Sequence, residues 1–390
     1  MSRDAWQAEL DALRAAGLHR TLRRVDSLQA PQIEVDGRRV LQFASNNYLD
    51  LASHPRLIAA SQEAAHYFGT SATASALVCG HMGVHADLED AISRFKGSEA
   101  ALVLGSGYLA NQAVLTTLVG VRDAIFSDAL NHASIVDGCR LSRASVYVYP
   151  HGDMEALERL LRTTNCERRL IVTDGVFSMD GDIAPLDQIC DLADSHGAVV
   201  VVDDAHATGV LGDAGRGTLS HFGIDGRRAI TMGTLGKALG SYGAFVTGPR
   251  AAIELLVNRS RSFIYSTALP PPVVVAARVA IQMIEDDPGR IQRLQERVTY
   301  LRAGLDALGI PLPRDVTPII PIVVGTPTAA TELCAALLED YVLIPAIRPP
   351  TVAAGTSRLR LSVTAGHNEG QLDYLIASLA HHGVARRCVR

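Results

Sequence analysis

Val201-Val202-Asp203-Asp204-Ala205-His206-Ala207-Thr208-Gly209 is an apolar strand that ends in two acids and a histidine. The apolar run begins at Ala198 and lacks the alternation of a half-exposed strand. Such a run suits a strand buried on both faces, as in a parallel sheet covered by helices. Ligands in open parallel sheets bind at the carboxyl ends of strands, which is where Asp203, Asp204 and His206 fall. Further along, Met232-Gly233-Thr234-Leu235-Gly236-Lys237-Ala238-Leu239-Gly240 puts a lysine between glycines just after another apolar strand. A lysine and a buried aspartate at one sheet edge have a known chemical use. The amine condenses with the aldehyde of pyridoxal phosphate, and the carboxylate keeps the pyridine nitrogen protonated.

Working outward, the middle of the chain alternates strand and helix. Strands are expected at Ala100–Leu104, Ala124–Ser127, Ser145–Tyr149, Arg169–Thr173, Ala198–Val202, Arg228–Met232 and Gly243–Thr247. Helices such as Asp153–Thr163 and Leu186–His196 separate them. The pattern predicts an α/β fold with a mostly parallel central sheet and helices on both faces. Pro270-Pro271-Pro272 interrupts it, and a charged helix is expected from about Asp287 to Leu308. Short strands at Ile319–Val324 and Arg358–Val363 and a helix after His367 then predict a smaller C-terminal α+β domain. The expected division is an N-terminal segment (1–50), a large cofactor-binding domain (51–285) and a small domain (286–390).

The bulk composition narrows the function classes. A chain of 390 residues, 48% apolar and 20% charged, can bury a sizeable core. A net charge of −5 with no basic block argues against a nucleic-acid partner. The six cysteines form no Cys-x-x-Cys pair, which suits a reducing cytosol and suggests neither a zinc site nor a disulfide framework. No apolar run has the length of a membrane span, and Met1 to Gly17 reads as an amphipathic helix instead of a secretory signal.

Several motifs admit other chemistry. Gly105-Ser106-Gly107-Tyr108-Leu109-Ala110 matches the relaxed dinucleotide fingerprint, and Asp128 falls where a ribose-binding acid belongs. The same turn can cradle a single phosphate at a helix N-terminus. Gly236-Lys237 resembles the end of a P-loop, but Thr231 and Ala238 break that match. Asp203, Asp204 and His206 could ligate a metal, although no second ligand cluster accompanies them. His132, after the strand ending at Ser127, can stack on an aromatic ring and hold a proton. Ser178 can bond a phenolic oxygen, and Arg348, Arg358 and Arg360 can bind carboxylates.

Taken in order, the motifs resemble the α-oxoamine synthases over nearly the whole chain. They are Phe43-Ala44-Ser45-Asn46-Asn47-Tyr48-Leu49, Gly107-Tyr108, Asn131-His132, Gly175-Val176-Phe177-Ser178-Met179-Asp180-Gly181, Asp203-Asp204-Ala205-His206, Thr234-Leu235-Gly236-Lys237, Tyr265-Ser266-Thr267-Ala268-Leu269-Pro270 and Arg348-Pro349-Pro350-Thr351-Val352. That family is of fold-type I, uses pyridoxal phosphate, and joins an amino acid to an acyl-CoA with loss of carbon dioxide. The resemblance implies Lys237 as the cofactor-bound lysine, Asp203 at the pyridine nitrogen and His132 stacked on the ring. It implies Ser178 and His206 at the phenolic oxygen, and Gly107, Tyr108 and Thr234 at the phosphate and ring edge. Ser266 and Thr267 would reach a phosphate from the partner subunit of a homodimer. Arg20, Asn46, Thr351 and Arg360, with Arg348 as an alternative to Arg360, would contact substrate, and no metal is implied. The Arg348 segment, Gly355 to Leu361, and Gly17-Leu18-His19-Arg20 imply L-alanine and a pimeloyl thioester, on CoA or a carrier protein, in biotin synthesis. Ala72, Ala74 and Ala76 stand where members often have flexible or charged residues, and Asp50 where glycine is usual. They keep glycine or serine with another acyl thioester as the alternative.

Overall fold

The computed structural model describes residues 3–389. Its thirteen strands are β1 (Gln32–Val35), β2 (Arg38–Gln42), β3 (Ala100–Leu104), β4 (Ala124–Asp128), β5 (Ser145–Tyr149), β6 (Arg169–Asp174), β7 (Ala198–Asp203), β8 (Ala229–Thr234), β9 (Ala244–Gly248), β10 (Ile319–Gly325), β11 (Val342–Leu343), β12 (Ala346–Ile347) and β13 (Ser357–Ser362). The chain divides into two units. The larger holds Leu49–Ser178 and Ile183–Ile291; the smaller holds the residues up to Tyr48, Met179–Asp182 and those from Gln292 on.

The larger unit is built on one seven-stranded sheet in the order β3-β9-β8-β7-β6-β4-β5. Pairing is parallel from β5 through β4, β6 and β7 to β8, and only β9 runs against the rest. Successive side chains explain the valine-rich runs. Ile125, Leu170, Val172 and Val201 pack into one core with the helices Gly107–Thr117 and Ala133–Ser142. Their neighbours Phe126, Ile171, Val200 and Val202 pack into a second core with Met154–Thr163 and Leu186–His196. Period-two alternation thus feeds two apolar faces, each covered by helices. Every fully buried valine, leucine or isoleucine contributes about 1.5–3 kcal/mol.

The strand ends lie level. Asp174 of β6 is in register with Asp203 of β7, and Asp203 with Met232 of β8. The expected strands are present, most shifted by one or two residues; Arg228 belongs to the turn before β8. Among the described residues no strand after β9 joins this sheet, and Pro270-Pro271-Pro272 opens the helix Pro271–Asp286. The first helical turn lacks acceptors for its N–H groups, so proline fits there at little cost.

In the smaller unit β1 and β2 form a hairpin around Asp36 and Gly37, whose φ values are 50° and 76°. Two positive φ angles in a two-residue turn match the strand twist and suit Asp-Gly. Strand β11 pairs in parallel with β2, and a second sheet runs β10-β13-β12.

Candidate active site

Asp203 and Asp204 part company at the end of β7. Asp203 is 5% exposed; its Oδ1 accepts from Ala205 N–H at 3.0 Å and its Oδ2 from Asn111 Nδ2 at 2.7 Å. Asp204 is 1% exposed and accepts from Lys96 Nζ at 2.6 Å and from Thr218 N–H and Oγ1. Asp204 is therefore neutralised inside the protein, and Asp203 is the acid left for chemistry at the strand end. Among the described residues no group of three or more histidines, cysteines or acids is placed to hold a metal.

Lys237 stands in a turn fixed by its own backbone. Leu235 N–H bonds Gly243 O, Ser241 N–H bonds Leu235 O, and Thr234 Oγ1 accepts from Gly236 N–H while donating to Gly243 O. Gly240 has φ 61°, and a Cβ there would lie 2.5 Å from Ala52 N. Only glycine fits such a left-handed close approach. The turn brings Lys237 Nζ to 2.8 Å from His206 Nε2.

His132 caps the helix Ala133–Ser142. Its Nδ1 accepts from Ser134 N–H at 3.2 Å and lies 2.7 Å from Ser134 Oγ, while its backbone N–H donates to Asp174 at 2.9 Å. Burial lowers its pKa; Asp203 opposes this and Lys237 reinforces it. His132, Asp203 and Lys237 therefore lie within electrostatic reach of one another. Burial, helped by Asp203, pushes the Asp174 carboxyl well above the usual range.

Gly107 and Tyr108 open the eleven-residue helix Gly107–Thr117, capped by Ser106 Oγ accepting from Leu109 N–H. A Cβ on Gly107 would make only ordinary contact with Met232 at 3.6 Å, so what this position offers is its N–H at a helix N-terminus. The Tyr108 hydroxyl bonds Asp137. The dinucleotide alternative does not fit this geometry. Strand β3 is an edge strand paired antiparallel to β9. The Asp128 carboxylate is taken by Leu130 N–H, Gly152 N–H and His151. Ser178 is half-buried in the turn after β6. An amine, a buried carboxylate, an imidazole and a helix N-terminus are the donor set that a pyridine aldehyde phosphate requires.

Ser266 and Thr267 are engaged elsewhere. Ser266 Oγ donates to Ser262 O at 2.7 Å, and Thr267 bridges to Ser75 in the alanine-rich loop. Neither is hydrogen-bonded to Lys237, Asp203 or His132. Asp50 has φ 54°, which is why glycine suits that position and aspartate is tolerated.

The smaller unit gathers the arginines. Arg20 donates to Pro349 O at 3.3 Å, and Arg348 to Gly17 O at 2.5 Å and His19 O at 3.3 Å. Burial and then the nearby Arg20 charge lower the Arg348 pKa, and its Nε is buried without a partner. Thr351 N–H closes a turn onto Arg348 O. Two neighbouring guanidiniums, neither in a salt bridge among the described residues, form a surface that attracts an anion. Arg360, 4% exposed, bonds Asn46 Oδ1 and Ser362 Oγ and reaches toward the Tyr48 hydroxyl, whereas Arg358 is paired with Asp180. Asn111, Ser134, Asp174 and Lys96 complete the larger unit's polar cluster. Nothing in the sequence singled out the first two, since an isolated asparagine or serine carries no spacing signal.

The sequence profile of the family described as aminotransferase class I and II matches residues 38–379. The chain is 49% identical over 373 residues to the 8-amino-7-oxononanoate synthase of Anaeromyxobacter sp. (strain K), covering 96% of this chain and 94% of that one. A serine palmitoyltransferase structure from S. paucimobilis superposes with a TM-score of 0.92 at 30% identity, over 98% of both chains. The 8-amino-7-oxononanoate synthase structure from Francisella tularensis gives 0.76 at 30% identity, over 89% of this chain and 97% of that one. The chain belongs to the aminotransferase class I and II family and is a fold-type I pyridoxal-phosphate enzyme.

Proposed function

We propose that this enzyme condenses L-alanine with a pimeloyl thioester, on CoA or a carrier protein, to give 8-amino-7-oxononanoate, carbon dioxide and free carrier. The observation that carries this is 49% identity over almost the full length to a relative with that name. Backbone likeness ranks the serine palmitoyltransferase higher, but backbone shape is common to a superfamily while side chains set the substrate. Arg20 and Arg348, bonded to backbone carbonyls but in no salt bridge among the described residues, support a substrate with a terminal carboxylate.

Pyridoxal phosphate supplies an aldehyde for the amino acid's amine and a cationic ring that accepts the electron pair left by its α-proton. Asp203 would pair with the ring nitrogen, and its burial would strengthen that pairing. Lys237 Nζ would hold the cofactor through its aldehyde and, when free, would serve as the base for the amino acid's α-proton. His132 would lie against the ring and would polarise the substrate carbonyl. Gly107, Tyr108 and Thr234 would line the phosphate and ring edge, and Ser178 and His206 would contact the phenolic oxygen. Ser266 and Thr267 serve the partner's phosphate in a cytoplasmic homodimer. Arg360 binds the amino-acid carboxylate, with Arg348 as the alternative, while Asn46, Arg20 and Thr351 contact the substrates. The second reading, glycine or serine with another thioester, draws on the alanines at 72, 74 and 76.

A product assay with a panel of amino acids and acyl thioesters tests the proposal. L-alanine with the pimeloyl thioester should turn over fastest, and Arg20→Ala should weaken that substrate far more than a plain acyl chain of equal length. Faster turnover of glycine or serine with a different thioester would overturn the substrate assignment.

A further inference from the structure

Four side chains of the larger unit form one continuous hydrogen-bonded chain. His132 Nδ1 lies 2.7 Å from Ser134 Oγ. Ser134 Oγ accepts from Asn111 Nδ2 at 2.8 Å, and the same amide donates to Asp203 Oδ2 at 2.7 Å. Asn111 and Ser134 are each 1% exposed, so bulk water does not compete for these bonds.

The direction of each proton follows from the donors available. Turned the other way, Asn111 would set its carbonyl oxygen against a carboxylate, acceptor against acceptor. Its Nδ2 must therefore face Asp203, and its Oδ1 is left buried without a partner. Ser134, having accepted from Asn111, has its own hydroxyl proton free for His132 Nδ1. The Ser134 backbone N–H points at the same nitrogen from 3.2 Å. Two donors aimed at Nδ1 make it an acceptor, so the ring proton belongs on Nε2.

We propose that Asn111 and Ser134 are positioning residues that hold His132 as its Nε2–H tautomer and join it to Asp203 in one hydrogen-bonded unit. The proposal rests on reading His132 and Asp203 as the groups against the cofactor ring. It deepens that reading, because the Nε2–H is then the only ring proton His132 has to offer a substrate carbonyl. A second proton on Nδ1 would face the Ser134 N–H. The titratable groups around His132 are Asp203, Lys237 and Asp174. Burial and Lys237 oppose a cationic ring, while Asp203 favours one; the Asp174 carboxylate accepts the His132 backbone N–H.

Nitrogen NMR of the cofactor-bound protein, with 15N-labelled histidine rings and the His132 signals identified by their loss in His132→Asn, reads the tautomer directly. The expected result is a neutral ring around pH 7 with a bare Nδ1 and a protonated Nε2. Ser134→Ala keeps the backbone N–H but removes the hydroxyl donor that favours the neutral ring, so it should raise the midpoint at which His132 takes a second proton, and Ser134→Thr should restore the parent behaviour. Asn111→Leu should shift the pH midpoint of the cofactor's visible band, because Asp203 loses a donor. A parent protein protonated on Nδ1, a Ser134→Ala protein with an unchanged midpoint, or an unmoved band in Asn111→Leu would each overturn the proposal. The tautomer is read on the unaltered protein, and His132→Asn serves only to assign its signals. A panel favouring another amino acid would refute the substrate assignment and leave the tautomer result standing.

Discussion

Replacing Lys96 by methionine keeps most of the side chain's volume and removes its charge. Lys96 and Asp204 side chains are 4% and 1% exposed, and Nζ donates to Oδ2 at 2.6 Å. The ammonium also reaches Thr208 Oγ1 at 3.4 Å and the Arg216 carbonyl, and the far carboxylate oxygen is held by Thr218. Gly217, with φ 108°, leaves room for the pair, since a Cβ there would fall 1.7 Å from Asp204 Oδ2. Losing one partner of so buried a pair leaves an uncompensated charge, which costs about 3–5 kcal/mol. The double change Lys96→Met with Asp204→Asn removes both charges and should recover about half of that or more, because desolvation of the ions is also relieved. The assay is urea unfolding followed by far-ultraviolet circular dichroism. Fluorescence is a poor reporter, because the single tryptophan, Trp6, lies 54% exposed on the N-terminal helix Arg3–Ala15. A loss below about 1 kcal/mol for Lys96→Met, the range of an exposed pair, would refute the reasoning.

Three further outcomes are expected. Asp203→Asn should slow exchange of the alanine α-hydrogen with solvent by roughly 10²-fold or more, measured by NMR in deuterium oxide, and near-parent exchange would contradict Asp203's role. Burial depresses His367 to about 4, with Nδ1 accepting from Thr364 and Nε2 donating to Gln42 O. Below about pH 6.5 the unfolded chain takes a proton that the folded one refuses. Stability should therefore fall as pH drops from about 6.5 to 4, by up to about 3 kcal/mol, and His367→Gln should flatten that limb of the denaturation profile. Finally, inactive Lys237→Ala and Thr267→Ala subunits, mixed and refolded, should regain partial activity; verified hybrids that stay inactive would argue against a shared site.

The strands were legible because burial on both faces leaves an apolar run that no surface element needs. Val200 to Val202 is such a run, and its alternate side chains do enter two cores, while Val199 at the strand's start stays exposed. Asp203 was legible as the last residue of that strand. That Asp204 is neutralised was not, because its partner Lys96 lies 108 residues away on another element. The Asp36-Gly37 hairpin carried a readable turn signal, but its strands are only four and five residues long. Pro270-Pro271-Pro272 marks the end of the strand–helix alternation in the sequence but does not show that a helix also starts there, since proline suits a first helical turn as well as a break. His132, Asp203 and Lys237 announced themselves by position at strand ends, whereas Asn111 acts only through a contact across 92 residues of chain.

The central claim is that the cofactor is carried by Lys237, and borohydride reduction followed by peptide mass spectrometry tests it most directly. Reduction fixes pyridoxal phosphate to whichever amine holds it. The account predicts bleaching of the visible band and a cofactor-sized mass increment on the peptide containing Lys237. An increment on Lys96, the only other lysine of the chain, or no increment at all, would contradict it.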